Sequence, residues 1–247
     1  MLTGDRGLKS VKLGNVKDYL SLVRRLAAKT GGEVNHHIKS ITTSLSGSGM
    51  SGPYPTSGDT VRKIAASAFI DAIEMLAIIE VLEAGNVKAT PALNEAGAGR
   101  AAEHIKRALF TRLHFLVARA YSKSRDGDLH ARRAFDLLKS HAVAKDMQNP
   151  GDLAEASQFW AKCCGDHRLE RFLHFRDKFL AHLGEPDPKQ GIPTYGEVFA
   201  IAGQTAQALE KLAHVTGVVG LSLESQIPAH KESAEKFWAP WVKEEKV

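Results

Sequence analysis

The chain has few of the features that mark secreted or disulfide-stabilised proteins. Of its 247 residues only two are cysteines, Cys163 and Cys164, and adjacent cysteines rarely reach the geometry of a disulfide. The opening stretch MLTGDRGLKS has no apolar segment of the kind that a signal peptide carries. These absences favour a reducing compartment, and we expect a cytoplasmic protein.

Long uninterrupted apolar runs and strand patterns are also missing. The most apolar stretch, AFIDAIEMLAIIEVLEAG, contains four acidic residues, so it predicts a buried helix and not a membrane span. We therefore expect no association with a membrane. No useful length of sequence alternates between apolar and polar residues, and no glycine-rich phosphate loop follows a strand.

A metal site has little support in the sequence. The stretch CCGDH at 163–167, together with His174, contains residue types that bind metals. It lacks a second, suitably spaced pair of ligands, and adjacent cysteines rarely bind one zinc ion together. We expect neither a metal nor a cofactor.

Helical spacing dominates what is present. The helices that the spacing predicts run over 60–84, 98–123, 129–142, 153–164, 166–183 and 195–217. TYGE at 194–197 predicts a capping box, while RDGD at 125–128 and NPGD at 149–152 predict turns that supply Asp caps. The sequence therefore predicts an all-α protein, an antiparallel bundle of four to five long helices.

Composition divides the chain into three parts. Residues 1–50 are predicted to form an appended helical piece, ahead of a loop rich in Gly, Ser and Pro. Residues 51–220 are predicted to form the helical bundle. Residues 221–247 form a tail whose aromatic residues Phe237, Trp238 and Trp241 we expect to pack back onto the bundle.

Positive charge is concentrated in one segment of the chain. The whole protein carries a formal net charge of +5, with a pI near 9.1. Between residues 100 and 145, eleven Lys and Arg residues face four acidic residues, which gives 11 − 4 = +7. Such a segment is typical of a surface that meets a phosphate backbone, and it is also compatible with ordinary solvated helix faces.

The stretch HFRDKFLAHLGEP at 174–186 places a cation where an apolar residue is expected. On an α-helix that turns about 100° per residue, Arg176 falls near the centre of the apolar stripe and His182 on its border. An Arg in such a position needs an acceptor or a cleft. Alternatively, it extends its guanidinium to water or pairs with a carboxylate, and the His caps a helix end.

An imidazole and a guanidinium are sufficient to cut RNA without a metal. The imidazole transfers protons to and from the reacting oxygens, and the guanidinium stabilises the charge on phosphorus. On an unbroken α-helix Arg176 and His182 lie about 9 Å and about 120° apart, so they do not readily meet within one chain. A two-fold axis would bring both pairs to one cleft, so we expect a homodimer formed through helix 166–183.

FRDKFLAH at 175–182 resembles the signature of the HEPN superfamily of helical domains, an Arg and a polar residue followed by a few mostly apolar positions and a His. The form RDKFLAH looks most like the abortive-infection AbiU branch. LHFLVARAYSKSRDGDLHARRAFDLLKSH upstream and PTYGEVFAIAGQTAQALEKL downstream are also similar to that branch. The resemblance covers roughly residues 60–217.

The resemblance implies a dimeric, metal-independent endoribonuclease of phage defence or of a toxin–antitoxin system, with RNA as substrate and an antitoxin as a further partner. Carried over, Arg176 and His182 would be catalytic and Asp177 would orient them. We expect Lys178, Arg112 and Arg119 to guide RNA, on charge alone. The alternative is a non-catalytic module that binds a nucleotide, RNA or a protein partner.

Overall fold

The computed structural model describes residues 56–123, 125, 127–181, 189, 191–218 and 222–242. The predicted appendage at 1–50 lies outside the described residues, and so does His182. Within the described ranges every regular element is a helix, which confirms the all-α class. None of the described helices is both long enough and apolar enough to cross a lipid bilayer.

The first described helix, α1 (Ser57–Ala84), is the central element of the fold. It begins at a capping box in which Thr56 and Asp59 exchange side-chain and backbone hydrogen bonds. It packs against five of the other described helices, and its buried residues occupy several sides of the helix. The stretch AFIDAIEMLAIIEVLEAG, which the sequence predicts to be a buried helix, belongs to α1, and half-buried residues alternate there with buried ones.

The chain leaves α1 through a π-helical turn, Gly85–Ala89, which we call the first π-segment. The short helix α2 (Thr90–Glu95) follows, and Gly97, with φ of +71°, turns the chain into the long basic helix α3 (Gly99–Tyr121). Helix α3 lies within the predicted range of 98–123. It contacts both α1 and α8, so one side of the basic helix faces the core.

The helix predicted over 129–142 is divided in the structure, so that prediction is wrong. Helix α4 (Ala131–Leu137) and helix α5 (His141–Lys145) are separated by a turn. Leu138 in this turn is buried, and the Ser140 backbone is extended. The break lets Leu138 enter the core while the chain changes direction.

The two predicted Asp caps are also wrong. Helix α4 is preceded by His130 and not by Asp128, and no side chain caps its first turn. Helix α6 (Leu153–Cys164) has the predicted bounds, but the side chain of Asp152 makes no capping bond. Leu129 and His130 separate Asp128 from α4, whereas Asp152 directly precedes α6 at the end of a 3₁₀ turn, Pro150–Asp152.

Helix α7 (His167–Phe175) covers only the first part of the helix predicted over 166–183. The chain continues as a π-helical stretch, Arg176–Ala181, which we call the second π-segment. The prediction of an unbroken α-helix is therefore wrong after Phe175. A π-segment closes its hydrogen bonds over five residues and not four, so it alters the direction in which the following side chains point.

Helix α8 (Tyr195–Thr216) begins at the predicted capping box, in which Thr194 and Glu197 bond reciprocally. It ends at Gly217, whose left-handed φ of +68° suits glycine. Helix α9 (Ile227–Trp238) returns along α1. Trp238 is buried, as expected, whereas Phe237 and Trp241 remain about half exposed.

The core lies mainly between α1 and α8, which make the most extensive helix contact in the fold. Helices α3, α4 and α6 close it from the sides. The largest fully buried side chains are Phe172, Ile64, Met75, Leu82, Leu113, Leu116, Leu209 and Leu212. The antiparallel bundle order and the three-part division of the chain remain predictions.

Candidate functional site

Helix α7 brings the motif residues to the edge of the core. Asp166 caps the helix by accepting from the Arg168 amide. Leu169 and Phe172, one turn apart, are buried and fix the rotation of the helix. Phe175 ends the α-helical part, so the position of Arg176 follows directly from this anchored face.

Arg176 is half-buried, with 27% of its side chain exposed. Its Nε lies 3.0 Å from Oδ1 of Asp177, but no hydrogen bond of good geometry satisfies that Nε. The carboxylate nearest to this guanidinium is thus that of the neighbouring motif residue, and Asp177 is itself half exposed. The pair leaves part of the guanidinium available to a ligand.

The second π-segment alters the separation to be expected between Arg176 and His182. The separation of about 9 Å and about 120° between Arg176 and His182 assumed an α-helix, whereas residues 176–181 are π-helical. His182 lies outside the described residues. A π-helical turn within a helix is often found at functional sites.

The two arginines of α3 that were assigned to RNA are both held by carboxylates of α1. Nε and Nη2 of Arg112 donate to the two carboxylate oxygens of Glu74, at 2.7 and 2.8 Å. Arg119 forms an ion pair with Asp71. Burial raises the pKa of Asp71 to about 6, against the lowering effect of Arg119. These pairs fix two guanidinium groups on the surface of α3.

The structure brings Arg112, Arg119 and Arg176 together. They line a depression of about 360 Å³, which continues past Arg176 into a second depression of about 620 Å³. We call the two together the Arg176 groove. Its lining residues are Arg112, Phe115, Leu116, Ala118, Arg119, Ser122, Lys123, Arg125, Asp128, Leu129, His130, Arg176 and Asp177.

The described lining of the Arg176 groove is basic, with five Lys and Arg residues against two Asp residues. Two apolar side chains within it, Phe115 and Leu129, are unusually exposed. Lys178 is exposed on the second π-segment and does not line the groove. Of the three residues assigned to RNA, two therefore line the groove with Arg176 and one, Lys178, does not.

His130 is a groove residue that was not predicted from the sequence. This residue is buried, lines the Arg176 groove, and has no hydrogen bond at either ring nitrogen. Its Nε2 lies 3.4 Å from Oδ2 of Asp128. The only signal in the sequence was the HAR stretch after RDGD, and nothing there showed that the loop returns to residue 176.

A second histidine, His114, packs against the helix that precedes Arg176. His114 of α3 is fully buried; its ring stacks on Phe172 at 4.4 Å and also contacts Phe175. Its Nδ1 lies 2.9 Å from the Phe110 carbonyl oxygen, and its Nε2 has no partner. Burial lowers the pKa of His114 to about 4, so the ring is neutral at pH 7.

No group of three or more His, Cys, Asp or Glu side chains in the described part of the chain is arranged to hold a metal ion. The profile of AbiU2, a HEPN domain family, matches residues 60–237. No protein of curated function and no solved structure matches the chain. The match spans the basic helix, the π-helical motif and the groove between them, and the chain belongs to the AbiU2 family of HEPN domains.

Proposed function

We propose that this protein is a metal-independent endoribonuclease that acts in abortive infection as a toxin or phage-defence effector. The observation that carries the proposal is the convergence of Arg176, Arg112 and Arg119 on one groove. Guanidinium groups bind phosphate through a planar set of donors and keep their charge at every physiological pH. Membership of a HEPN family supports the same reading.

The reaction needs a base, an acid and a charged group at phosphorus. His182 takes the proton of the RNA 2′-hydroxyl, whose oxygen attacks phosphorus and displaces the 5′-oxygen. Water acts as the acid and gives a proton to the leaving 5′-oxygen. Arg176 stabilises the negative charge that develops on the phosphoryl oxygens, and Asp177 orients the guanidinium. The products are a 2′,3′-cyclic phosphate and a 5′-hydroxyl, and DNA is not cut because it lacks the attacking group.

Single-stranded RNA suits the groove better than a duplex does. Phe115 is 44% exposed on α3, one turn from both Arg112 and Arg119. Alternation of an aromatic ring with arginines is typical of surfaces that stack bases and track a single-stranded backbone. In this proposal the protein acts as a homodimer. A second copy of the chain meets the first along residues 166–183 and brings its own Arg176 and His182 to the same cleft.

The test uses purified protein and a labelled single-stranded RNA in the presence of EDTA. We expect cleavage with cyclic phosphate ends, lowered about 10²- to 10³-fold in Arg176→Ala and His182→Ala, because each removes a group that acts only in the transition state. His141→Ala is the matched control, since this exposed His lies on α5, away from the groove.

The histidine assignment is tested separately. If His130→Gln abolishes cleavage and His182→Ala leaves it intact, the proton-transfer role belongs to His130 and not to His182. RNA that is bound but stays uncut at stoichiometric protein would contradict the nuclease proposal and favour the non-catalytic alternative. DNA cut at the same rate as RNA would contradict the 2′-hydroxyl mechanism.

A further inference from the structure

A third depression lies between α2 and the first turns of α3, apart from the Arg176 groove. Its volume is about 420 Å³, and we call it the α2–α3 cavity. Along α3, at about 1.5 Å per residue, its centre is roughly 20 Å from the Arg176 groove. The two sites share no lining residue.

The α2–α3 cavity contains a buried lysine. Lys106 is only 5% exposed, and its Nζ donates to Oγ1 of Thr90 at 2.6 Å. Thr90 donates its own hydroxyl proton to the Gly85 carbonyl at 3.0 Å, so towards Lys106 it acts only as an acceptor. The ammonium group has three donors, and this contact uses one of them.

No carboxylate in the described ranges forms an ion pair with Lys106. A buried ammonium whose partner is a neutral hydroxyl is costly, because burial removes its hydration and a neutral partner does not offset that loss. Most buried cations are paired or bind a ligand. Lys106 therefore calls for an anion on the cavity side.

The surroundings of Lys106 add to the positive charge. Arg100 and Arg107 line the same cavity, and the single acid there, Glu103, lies 3.9 Å from Arg107. Three cations against one acid leave a charge of +2. Helix α3 also starts at the cavity, and its first turn has no side-chain cap, so its amides add a positive partial charge.

We propose that the α2–α3 cavity binds a phosphate group, held by Lys106 at its floor and by Arg100 at its rim. The volume is in the range of sites that hold a small organic ligand, so a phosphomonoester fits as well as a bare ion. The phosphate comes either from a small phosphomonoester or from the RNA backbone. The proposal does not depend on the nuclease function.

The test measures thermal unfolding and binding by calorimetry in an Arg176→Ala background, which removes the groove arginine that could also hold phosphate. The probes are inorganic phosphate, a ribonucleoside 5′-monophosphate and a 2′-O-methyl RNA that cannot be cut through its 2′ position. Each is compared with chloride at equal ionic strength. The variants are Lys106→Met and Arg100→Gln, with Lys145→Gln, an exposed residue of α5, as the charge-matched control.

We expect phosphate to raise Tm, and Lys106→Met to lose this increment while staying folded, because an apolar side chain replaces a buried charge. Affinity should fall at least about tenfold in Lys106→Met and also in Arg100→Gln, with no change in Lys145→Gln. If Lys106→Met and Arg100→Gln lose binding of the monophosphate alone, the ligand is a small phosphomonoester. If they lose binding of the RNA, the phosphate belongs to the RNA backbone. Equal phosphate increments in all variants, or none in the parent, would overturn the proposal.

Discussion

The two π-segments each follow directly on an α-helix, and they have opposite surroundings. The first, Gly85–Ala89, is covered by α9: the Trp238 indole lies over Gly85 and its Nε1 donates to the Val81 carbonyl at 2.9 Å. The second, Arg176–Ala181, opens onto the basic groove through Arg176 and Asp177. One irregularity is used for packing and the other presents charge, so what lies opposite a π-segment determines its role.

The largest effect is expected where the first π-segment is covered. Trp238→Ala removes a buried indole and its hydrogen bond, and should lower the free energy of unfolding by about 3–5 kcal/mol in chemical denaturation. Trp241→Ala is the control, since that ring is 40% exposed, and should cost about 1 kcal/mol or less. Equal losses in the two variants would show that α9 is not anchored by Trp238.

A smaller effect, dependent on pH, is expected beneath the second π-segment. Because the folded-state pKa of His114 is about 4, its neutral ring favours folding above pH 6.5, and this stability is lost as pH falls towards 4. His114→Phe keeps an aromatic ring and should remove the acid-side decline, a difference of about 2–3 kcal/mol near pH 4.

The measurement is urea unfolding of the wild type and His114→Phe between pH 7 and pH 4. Asp71 has the opposite effect on the pH dependence of stability. Burial raises its pKa in the folded state to about 6, above its pKa in the unfolded chain. Its contribution to stability is therefore fully present below the unfolded pKa and is lost as pH rises through 6. It is present in both proteins, so their difference isolates His114. His141→Gln should keep the wild-type profile, and parallel curves for His114→Phe would refute the role of burial.

Gly85 allows the close packing of the first π-segment against Trp238 to be tested. A Cβ at this position would lie 2.7 Å from Cε2 of Trp238, so Gly85→Ala should destabilise the protein by about 1–3 kcal/mol through overpacking. Gly203 of α8 is the matched control, because a Cβ there meets no neighbouring atom within 4 Å. Gly203→Ala should stabilise the protein by about 0.5–1 kcal/mol. Melts of both variants check the sign, and a stabilising Gly85→Ala would contradict the close contact.

The smallest effect on stability is expected at the second π-segment itself. Asp177→Asn removes a half-exposed ion pair with Arg176, which should change the free energy of unfolding by no more than about 1 kcal/mol. RNA cleavage should nevertheless fall, because the guanidinium loses the group that orients it. A stability loss as large as that of Trp238→Ala would show that this segment is structural too.

The capping signals show how far local sequence reaches. TYGE specifies its own cap because Thr194 and Glu197 are three residues apart, a distance that the helix alone makes close. RDGD and NPGD each offer an Asp, which is also a good capping residue, yet the side chains of Asp128 and Asp152 make no capping bond. A pair of residues that bond reciprocally predicts a helix cap better than a single polar side chain does, because it satisfies two backbone amides at once.

The groove shows what no local pattern contained. Asp71 and Glu74 were visible only as charges that interrupt an apolar helix, and Arg112 and Arg119 only as part of a basic segment. Their pairing joins residues 38 and 48 positions apart in sequence, and it follows from the packing of α3 on α1. His130 joins the same groove through a loop whose path the sequence does not specify.

By itself the sequence determined the helical class, the approximate bounds of α1, α3, α6 and α8, the family and the unusual position of Arg176, because each depends on residues a few positions apart or on a contiguous motif. Only the tertiary structure decided which carboxylates hold the arginines, that Arg176–Ala181 is π-helical, and that Lys106 is buried without a carboxylate partner in the described ranges. Those features depend on how separate helices pack, and packing is set by the whole core and not by any single stretch.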